Sequence, residues 1–594
     1  MQAPVRVKEN SIKQTSRRVR PFLSTAHLNQ RFAPFAAKMR RAKMPEAVIR
    51  TFRYYYAQLV EGATGYVPAS QALPVYNLPD AAQLDGYASA GQAALQRAVM
   101  IKLNGGLGTT MGMQGPKSLV EVKQGLTFLD IIVRQVLHMR QAYAVRLPLV
   151  LMNSFNTQEQ SRAALAAYPK LDAPSQQDVP LDFLQHKTPK IWQADLTPVE
   201  WPDDPEKEWC PPGHGDLYLA LQTSGLLDQL LAQGYEYAFI SNADNLGATI
   251  DINILGYLAA EQLPFLMEVA KRTPTDSKGG HLGLSPDQTL LLREVAQCPA
   301  DELEAFQDIE RYAYFNTNNL WLHLPTLQQM LEAHRGVLKL PLIRNEKPVD
   351  PTQPETPRVY QLETAMGHAI GLFPDAQAVQ VDRRRFLPVK NTNDLLALWS
   401  DAYVLQDDYT IALNPTRPSG QAPNVDLDKS YYGLFQQLKE RFAHGVPSLL
   451  NCTQLQVQGD IYFAGEIPLE GAVCLCHTGE EPLVLDEEAL SKMKYRLEIG
   501  DCGLAFNLQS LISNLRFTYI ERSLTPCPNL VMHFPACDRR HCPGDKAYPT
   551  RHGRHLQADD HARICAPVTR FFKSDVAIWK IAVHGKYARK ARHF

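Results

Sequence analysis

Apolar residues near the start of the chain recur at the spacing of one helix face. Between positions 32 and 62 they return every three or four residues, which predicts helix rather than strand. Pro45 interrupts the pattern, since proline lacks the N–H that a helix interior needs. We therefore predict two helices that lead into the core, one on each side of Pro45. The apolar positions are Phe35, Met39, Ala42, Met44, Ala47, Val48, Phe52, Tyr55 and Leu59.

Short apolar runs alternate with amphipathic stretches from about residue 97 to residue 390. The runs have the length of buried strands, and stretches such as 128–141 and 225–231 have the spacing of helices. The alternation predicts an α/β fold in which helices cover both faces of a mostly parallel sheet. Ligands of such sheets bind beyond the carboxyl ends of the strands. The predicted strands are 99–103, 147–152, 237–241, 265–269 and 320–322.

The pattern changes after about residue 445. Aliphatic residues alternate from Leu455 to Val473, and glycine recurs every six residues at Gly459, Gly465 and Gly471. A glycine period of this kind indicates the coils of a β-helix. About three turns fit the pattern, and two β-hairpins are the alternative.

Length and composition limit the classes of protein to consider. A chain of 594 residues is too long for one ordinary core, so we expect two to four units. A formal net charge of −1 argues against a general nucleic-acid binder, and no apolar stretch is long enough to span a membrane. Ten scattered cysteines favour free thiols in a reducing compartment, which predicts a cytoplasmic protein.

Basic residues concentrate at both ends of the chain. Positions 1–60 carry thirteen lysines and arginines against Glu9 and Glu46. Because this segment lacks the apolar centre of a secretory signal, we expect a disordered basic arm over residues 1–30, with an organelle transit peptide as the alternative. From about residue 500 we expect a poorly ordered basic tail rather than a zinc site, because its cysteines lack paired C-x₂-C spacing. They include Cys527, Cys537, Cys542 and Cys565.

A glycine-rich segment closed by Lys117 follows the first predicted strand. Glycine lets a loop turn through positive φ and brings N–H groups close to a ligand, and inward N–H groups bind anions. A nearby lysine adds a charge that suits phosphate. The segment predicts a phosphate-bearing ligand, most simply a nucleotide, and a glycine turn without a ligand is the alternative. Its glycines are Gly105, Gly106, Gly108, Gly112 and Gly115.

Two better-known glycine motifs do not match this loop. The P-loop places its lysine directly after a glycine, whereas Pro116 separates Gly115 from Lys117 here. The dinucleotide fingerprint is G-x-G-x-x-G, and the spacing from Gly106 to Gly112 is one residue too long. The loop is therefore of another type.

Two further motifs place polar side chains beside flexible or buried backbone. His214 lies between two glycines after two prolines, where it has little to pack against, so we expect it to donate to a phosphate or sugar oxygen. Asn242 and Asp244 end a predicted strand, and a carboxylate there suits Mg²⁺. For that segment a helix N-cap is the alternative.

Polar clusters also border the later strands. The segments 278–280 and 315–319 offer asparagine side chains that suit sugar hydroxyls, with turn chemistry as the alternative. Arginines 383–385 have the character of a solvated face. Lys390 differs, because the apolar residues just before it are expected to draw it inward.

Taken together, these segments resemble the UTP–glucose-1-phosphate uridylyltransferase family, the UDP-glucose pyrophosphorylases of the eukaryotic type. The resemblance runs from about residue 35 to residue 475 and keeps the family's order. The related N-acetylhexosamine enzymes differ at the first loop, where an arginine usually follows Gly-Thr and this chain has Thr110. The matching segments are 102–118, 151–157, 211–216, 241–247, 278–280, 315–321, 361–364 and 386–390.

The resemblance implies a role for each matching residue. The nucleotide would contact backbone groups of Leu103, Gly105 and Gly106, and the uracil would meet Gln185 and Gly213. The other roles are His214 and Asn242 at the sugar phosphate and nucleotide, Asp244 at Mg²⁺, Lys117 and Lys390 at the phosphates, and Gly280, Glu294, Asn316 and Asn318 at the hexose.

The resemblance also implies an architecture. An N-terminal helical part at 31–96 would precede a Rossmann-like nucleotidyltransferase domain at 97–400, built on a mostly parallel mixed sheet. A left-handed β-helix at 401–475 would follow and serve for self-association. The first 30 residues have no counterpart in the family, the β-helix match fades after Val473, and residues 476–594 form an extension of unknown structure.

The implied reaction transfers the uridylyl group of UTP to glucose 1-phosphate and yields UDP-glucose and pyrophosphate. The attacking phosphate is already ionised, so alignment and charge neutralisation by Mg²⁺ and lysines would suffice, without a general base. A UDP-sugar pyrophosphorylase of broad specificity and a catalytically silent nucleotide-sugar-binding regulator are the alternatives.

Overall fold

A computed structural model describes residues 24–171, 179–273, 276 and 279–490 of the chain. Several predictions concern residues outside this part: the basic arm before residue 24, Lys278, and the tail after residue 490 with the four cysteines named above.

Helices and strands alternate along the described chain. The helices α1 to α13 are, in order, Thr25–Arg41, Glu46–Val60, Ala88–Leu95, Phe128–Tyr143, Gln158–Leu165, Leu217–Thr223, Leu226–Ala232, Ile252–Ala260, Leu303–Gln307, Leu324–Ala333, Thr392–Trp399, Lys429–Tyr432 and Phe435–Arg441. The strands β1 to β12 are Leu73–Pro74, Ala98–Asn104, Glu121–Lys123, Leu126–Thr127, Leu149–Asn153, Asp182–Leu184, Thr188–Pro189, Ile191–Trp192, Trp209–Cys210, Tyr237–Asn242, Phe265–Lys271 and His281–Leu284. The strands β13 to β24 are Leu290–Arg293, Tyr314–His323, Ile343–Pro348, Arg358–Glu363, Gln377–Gln380, Tyr403–Leu405, Ile411–Leu413, Asn424–Leu427, Ser448–Gln458, Ile461–Phe463, Pro468–Cys476 and Leu483–Leu485.

The two predicted N-terminal helices are present, with the break at Pro45. Helix α1 begins earlier than predicted, because the Ser24 side chain accepts from the His27 N–H and caps it. The expected arm over residues 1–30 is therefore wrong from residue 25 onward. Aromatic rings hold the two helices together, with Phe35 and Tyr56 ring centroids 4.8 Å apart.

Ten strands form the central sheet, in the order β1-β12-β14-β10-β2-β5-β6 with β11, β13 and β17 attached. Strands β10, β2, β5 and β6 are mutually parallel, and β11 pairs in parallel with β17. The other five pairings in this sheet are antiparallel, and each of them involves β12 or β14. The sheet is thus mixed, as the resemblance implied, but with four parallel and five antiparallel pairings it is not mostly parallel. Periodicity reports burial and carries no information on strand direction.

Alternate residues of the central strands face two apolar clusters. Met100 and Leu151 pack with helices α3, α4 and α8 on one face. Ile101 and Val150 pack with helices α6, α7 and α10 on the other. Helices cover both faces of the sheet, as predicted. In the described part of the chain no helix is long and apolar enough to cross a membrane.

Strands near the C-terminal end of the described chain pair in parallel. Strand β21 pairs with β20 and β23, and β22 pairs with β24. The alternative of two hairpins is wrong, because hairpin strands are antiparallel. Gly459 permits a tight corner between these strands: its φ is +87°, and a β-carbon there would lie 1.9 Å from the His477 carbonyl oxygen.

Candidate active site

Four parallel strands bring their carboxyl ends to one edge of the sheet. Strands β10, β2, β5 and β6 end at Asn242, Asn104, Asn153 and Leu184. The register places Asn242 beside Leu103, so two residues predicted to contact the nucleotide are direct cross-strand neighbours. The loops that continue these strands carry the remaining nucleotide candidates.

The glycine loop after β2 folds back on itself. The Lys117 N–H donates to the Gly106 carbonyl at 3.1 Å, which closes the loop at its base. Gly112 at the tip has φ +71°, and a β-carbon there would lie 2.8 Å from Leu434 Cδ2. Gly105 leaves room for a side chain from the next strand, because its own β-carbon would lie 2.9 Å from Gln185 Oε1. The backbone of this loop is therefore accessible where a side chain would block it.

Gln185 extends from β6 toward the glycine loop. Its N–H donates to the Asn153 carbonyl at 2.8 Å, which fixes it to the end of β5. A buried polar network supports this edge: Asn104 Nδ2 donates to Asn153 Oδ1 at 2.7 Å, and Asn153 Nδ2 donates to Asp182 Oδ2 at 3.1 Å. The side-chain amide of Gln185 is thus held next to the accessible backbone of Gly105. Residue types alone did not identify this network.

The loop that carries Gly213 and His214 rests on the end of β16. The Thr364 N–H donates to the Pro212 carbonyl, and the Gly215 N–H donates to the Thr364 carbonyl, both at 2.9 Å. Gly213 has φ +79°, and a β-carbon there would lie only 2.3 Å from the Thr364 carbonyl oxygen. Glycine is required here on both counts.

His214 is held as a neutral ring. Its Nδ1 accepts the Met366 N–H at 3.1 Å, so Nδ1 carries no proton. Burial lowers the pKa of His214 to about 4, which keeps the ring uncharged at neutral pH. The proton therefore lies on Nε2, where it is available as a donor, and donation to a phosphate or sugar oxygen stays a prediction.

Lys117 and Asp244 form an ion pair at this edge. Lys117 Nζ lies 2.7 Å from Asp244 Oδ2, although the two residues are 127 positions apart. Both side chains are partly exposed, 16% and 25%. The N-cap alternative for Asn242 and Asp244 is wrong, because the next helix, α8, begins at Ile252 and is capped by Asp251.

Lys390 lies on a segment that contacts both of these loops. The neighbouring Val389 N–H donates to the Asp244 carbonyl at 3.2 Å, and Thr110 Oγ1 donates to the Lys390 carbonyl at 3.3 Å. The Lys390 N–H donates to Asp394 Oδ2 at 2.6 Å, a partner the sequence did not identify. Lys390 itself is exposed and Val389 is buried, so the expectation that Lys390 turns inward is wrong.

The four hexose candidates meet at the ends of β12, β13 and β14. The Asn316 N–H donates to the Gly280 carbonyl at 3.0 Å, and Asn316 Nδ2 donates to Asn318 Oδ1 at 2.8 Å. A β-carbon on Gly280 would lie 2.5 Å from Glu294 Oε2. Burial raises the pKa of Glu294 to about 7, and the nearby positive charge of Lys390 opposes that rise. The residues predicted to bind the hexose therefore lie near Lys390.

A buried charged cluster underlies the loops of Asp244 and Lys390. Arg385 pairs with Glu268, at 2.6 Å from Nη2 to Oε1 and 2.8 Å from Nε to Oε2. Glu268 also accepts from Asn319 and Trp321 at 2.9 Å. Asn245 Oδ1 accepts the Leu387 N–H at 2.8 Å. The prediction of a solvated face is wrong for Arg385. The sequence signal for a buried partner of Arg385 was the single carboxylate of Glu268 within an otherwise apolar run.

These features define a class of protein. A glycine loop at the carboxyl ends of parallel strands, with a lysine–carboxylate pair and a second lysine beside a polar sugar-sized cluster, is the arrangement of a nucleotidyltransferase that acts on a sugar phosphate.

The particular family follows from comparison with known proteins. The model of the family described as UTP–glucose-1-phosphate uridylyltransferase matches residues 50–470, and the chain belongs to this family. It is therefore an enzyme, a nucleotidyltransferase of the family that makes UDP-glucose from UTP and glucose 1-phosphate. The resemblance seen in the sequence is confirmed.

Individual relatives agree with this assignment. The chain is 42% identical over 386 residues to a probable UTP–glucose-1-phosphate uridylyltransferase of Schizosaccharomyces pombe, covering 64% of this chain and 73% of the relative. It is 39% identical over 442 residues to the barley (Hordeum vulgare) enzyme, covering 74% and 89%. A Leishmania major UDP-glucose pyrophosphorylase mutant solved with UDP-glucose has a TM-score of 0.72 and 44% identity, covering 77% of this chain and 97% of that one.

Proposed function

We propose that this chain transfers the uridylyl group of UTP to glucose 1-phosphate at the edge where the glycine loop, Asp244 and Lys390 meet. The products are UDP-glucose and pyrophosphate. The observation that carries the proposal is the ion pair of Lys117 with Asp244, bonded through the Asp244 carbonyl to the segment of Lys390. The L. major relative solved with UDP-glucose supports the same ligand class.

The nucleotide lies between the glycine loop and the loop of Gly213. Backbone groups of Leu103, Gly105 and Gly106 contact it, and the two glycines have no side chain of their own to hinder a close approach. The Gln185 amide and the Gly213 backbone contact the uracil, whose edge offers both donors and acceptors. Asn242, which is the cross-strand partner of Leu103, contacts the nucleotide between base and phosphates.

The reaction is an in-line displacement. A phosphate oxygen of glucose 1-phosphate attacks the α-phosphorus of UTP, the bond to the bridging oxygen breaks, and pyrophosphate leaves with the bonding electrons. Lys117 and Lys390 offset the repulsion between the two anions and stabilise charge on the phosphate oxygens. His214 donates its Nε2 proton in a hydrogen bond to a sugar-phosphate oxygen without adding a net charge.

Asp244 fits a magnesium ion. One carboxylate oxygen is bonded to Lys117, and the side chain stays a quarter exposed beside the phosphate loop. Among the described residues no three His, Cys, Asp or Glu side chains are grouped as a metal site. A single carboxylate completed by water and substrate phosphates is a usual way to bind Mg²⁺. When bound, the ion neutralises phosphate charge.

The hexose lies against Gly280, Glu294, Asn316 and Asn318. Asn316 and Asn318 are already bonded to each other, so their remaining donors and acceptors have fixed directions. Glu294, with its pKa of about 7, is present in both protonation states at neutral pH and can donate or accept. A wrong epimer would leave these polar groups unpaired. The family of the relatives favours glucose over the broader UDP-sugar alternative.

Assay of the purified chain tests this function. With UTP, glucose 1-phosphate and Mg²⁺ we expect pyrophosphate release and UDP-glucose formation. Galactose 1-phosphate and N-acetylglucosamine 1-phosphate are tested as alternative substrates. Rates with them comparable to the rate with glucose 1-phosphate would favour the broad-specificity enzyme. No release with any sugar phosphate, together with tight UDP-glucose binding, would favour the silent regulator.

The C-terminal strands are proposed to begin a left-handed β-helix that mediates self-association. The parallel pairing of β20, β21 and β23 supports this, since each turn of such a helix adds one parallel strand per sheet. Sedimentation of the full chain at several concentrations tests it. The cytoplasmic location also stays a prediction, supported by free thiols at the described cysteines.

A further inference from the structure

Lys102 is a buried lysine that the reaction described above does not use. It lies on β2, beside Ser241 of β10, and its side chain is fully buried. Its Nζ donates to Ser241 Oγ at 2.7 Å and to the Ala248 carbonyl at 2.6 Å. Burial lowers the pKa of Lys102 to about 7. A lysine is rarely placed in such surroundings without specific partners.

The bond to Ala248 holds the end of the loop that carries Asp244, while Asp244 and Asn245 nearer its start are bonded to the segment of Lys390. This loop begins where β10 ends, at Asn242, and runs to the start of α8, at Ile252, so neither a helix nor a strand holds it in between. Lys102 Nζ donates a hydrogen bond to the carbonyl of Ala248 from the neighbouring strand β2. Arg385 holds the next carbonyl, that of Thr249, at 2.8 Å. Two buried basic side chains thus bind adjacent carbonyls of one loop.

An apolar side chain at position 102 would avoid burying an ammonium group, although the Ala248 carbonyl would lose this donor. Taking an ammonium group out of water is costly, and an apolar residue of similar size often leaves stability unchanged or improved. The lysine is therefore better explained by the position it imposes on the loop than by stability. Asp244 lies four residues before Ala248, and its carboxylate must face Lys117.

We infer that Lys102 is a positioning residue, which through the Ala248 carbonyl holds the Asp244 carboxylate in place for the metal-bound triphosphate. The inference rests on the proposed function of Asp244. Lys102 itself touches neither the phosphates nor the metal. Loss of a residue that orients a metal ligand typically weakens metal binding by about 10- to 100-fold.

The variant Lys102→Met tests the inference, with Lys123→Met as a matched control. Lys123 is also buried and also binds carbonyls, those of Leu398, Trp399 and Ser400, at the end of α11. The control thus makes the same chemical change, but at a lysine that binds a different segment of the chain. Two quantities are measured. The first is the dissociation constant of Mn²⁺ in the presence of UTP, determined by electron paramagnetic resonance. The second is the Mg²⁺ concentration that gives half-maximal pyrophosphate release.

For Lys102→Met we expect both quantities to rise about 10-fold or more, with the KM for glucose 1-phosphate within about twofold of the wild type. For Lys123→Met we expect Mn²⁺ binding within about twofold of the wild type. Wild-type Mn²⁺ binding by folded Lys102→Met would overturn the inference. If Lys102→Met does not fold, Ser241→Ala removes one of the two partners and should raise the Mn²⁺ constant by a smaller factor; an unchanged constant would overturn it.

The two proposals fail separately. A wild-type chain that releases no pyrophosphate from UTP and any sugar phosphate would refute the proposed function, whereas the Mn²⁺ constants of the two variants would still show whether Lys102 positions the metal ligand.

Discussion

Gly213 holds the His214 loop against the end of β16, and Gly213→Ala tests how closely that contact must be kept. The added β-carbon would lie 2.3 Å from the Thr364 carbonyl oxygen and 2.8 Å from its nitrogen. Carbon and oxygen atoms in ordinary contact stay more than about 3 Å apart, so the loop must retreat by nearly 1 Å. The loop would carry with it the bond from the Met366 N–H to His214 Nδ1.

Two costs act at Gly213, and a second glycine separates them. At φ +79° and ψ 170° the backbone of Gly213 lies in a region almost confined to glycine, so an alanine there is strained by about 1–3 kcal/mol. Gly125, in the turn between β3 and β4, has φ +75°, and a β-carbon added there would meet no other part of the chain within 4 Å. Gly125→Ala should therefore show the strain alone, as a stability loss of about 1–2 kcal/mol with unchanged kcat/KM. Gly213→Ala should add a fall of about 100-fold in kcat/KM, the scale of a 1 Å misplacement at a reacting site.

The assay combines pyrophosphate release at varied UTP with urea unfolding of both variants. Equal kcat/KM for Gly213→Ala and Gly125→Ala would refute the reasoning, because the steric difference between the two positions would then have no effect on the site. A variant Gly213→Ala that loses stability but keeps the wild-type kcat/KM would also refute the reasoning.

Three further changes have defined outcomes. Lys390→Ala should lower kcat by about 10²-fold, the scale of one lost transition-state contact, and a kcat within error of the wild type would remove Lys390 from the mechanism. Excess EDTA should abolish activity and added Mg²⁺ should restore it; full activity in EDTA would discard the role of Asp244. Glu294, whose pKa rises on folding from its ordinary 4.5 to about 7, binds more protons in the folded state, so the free energy of unfolding should fall as pH rises through that interval. Glu294→Gln should remove this slope in urea titrations, and a slope equal to the wild type's would assign it to other groups.

Local patterns were enough to predict most of the elements that carry the site. The strand before the glycine loop, the strand that ends at Asn242 and the two N-terminal helices all follow from spacing within short windows. The position of His214 in a tight turn between two glycines was also predictable from the sequence, and Gly213 does have a positive φ there. Such features depend on neighbours in the chain, which a sequence displays directly.

Other features depended on partners distant in the chain. Arg385 was expected in solvent because its neighbours are charged, yet Glu268, 117 positions away, draws it into the core. Asp394 has the signature of a helix cap and also fixes the Lys390 backbone. The mixed sheet arises because β14 runs against β10 and β11, a direction that side-chain periodicity does not encode.

The sequence by itself determined which residue types are available for chemistry and which family the chain resembles, since residue types and their order persist without any fold. Only the tertiary structure decided that Lys117 and Asp244 are paired at 2.7 Å and that a buried Lys102 supports the loop beside them. The physical reason is that an ion pair or a buried hydrogen bond exists only when chain segments far apart in sequence are brought together, and the packing of the sheet does that.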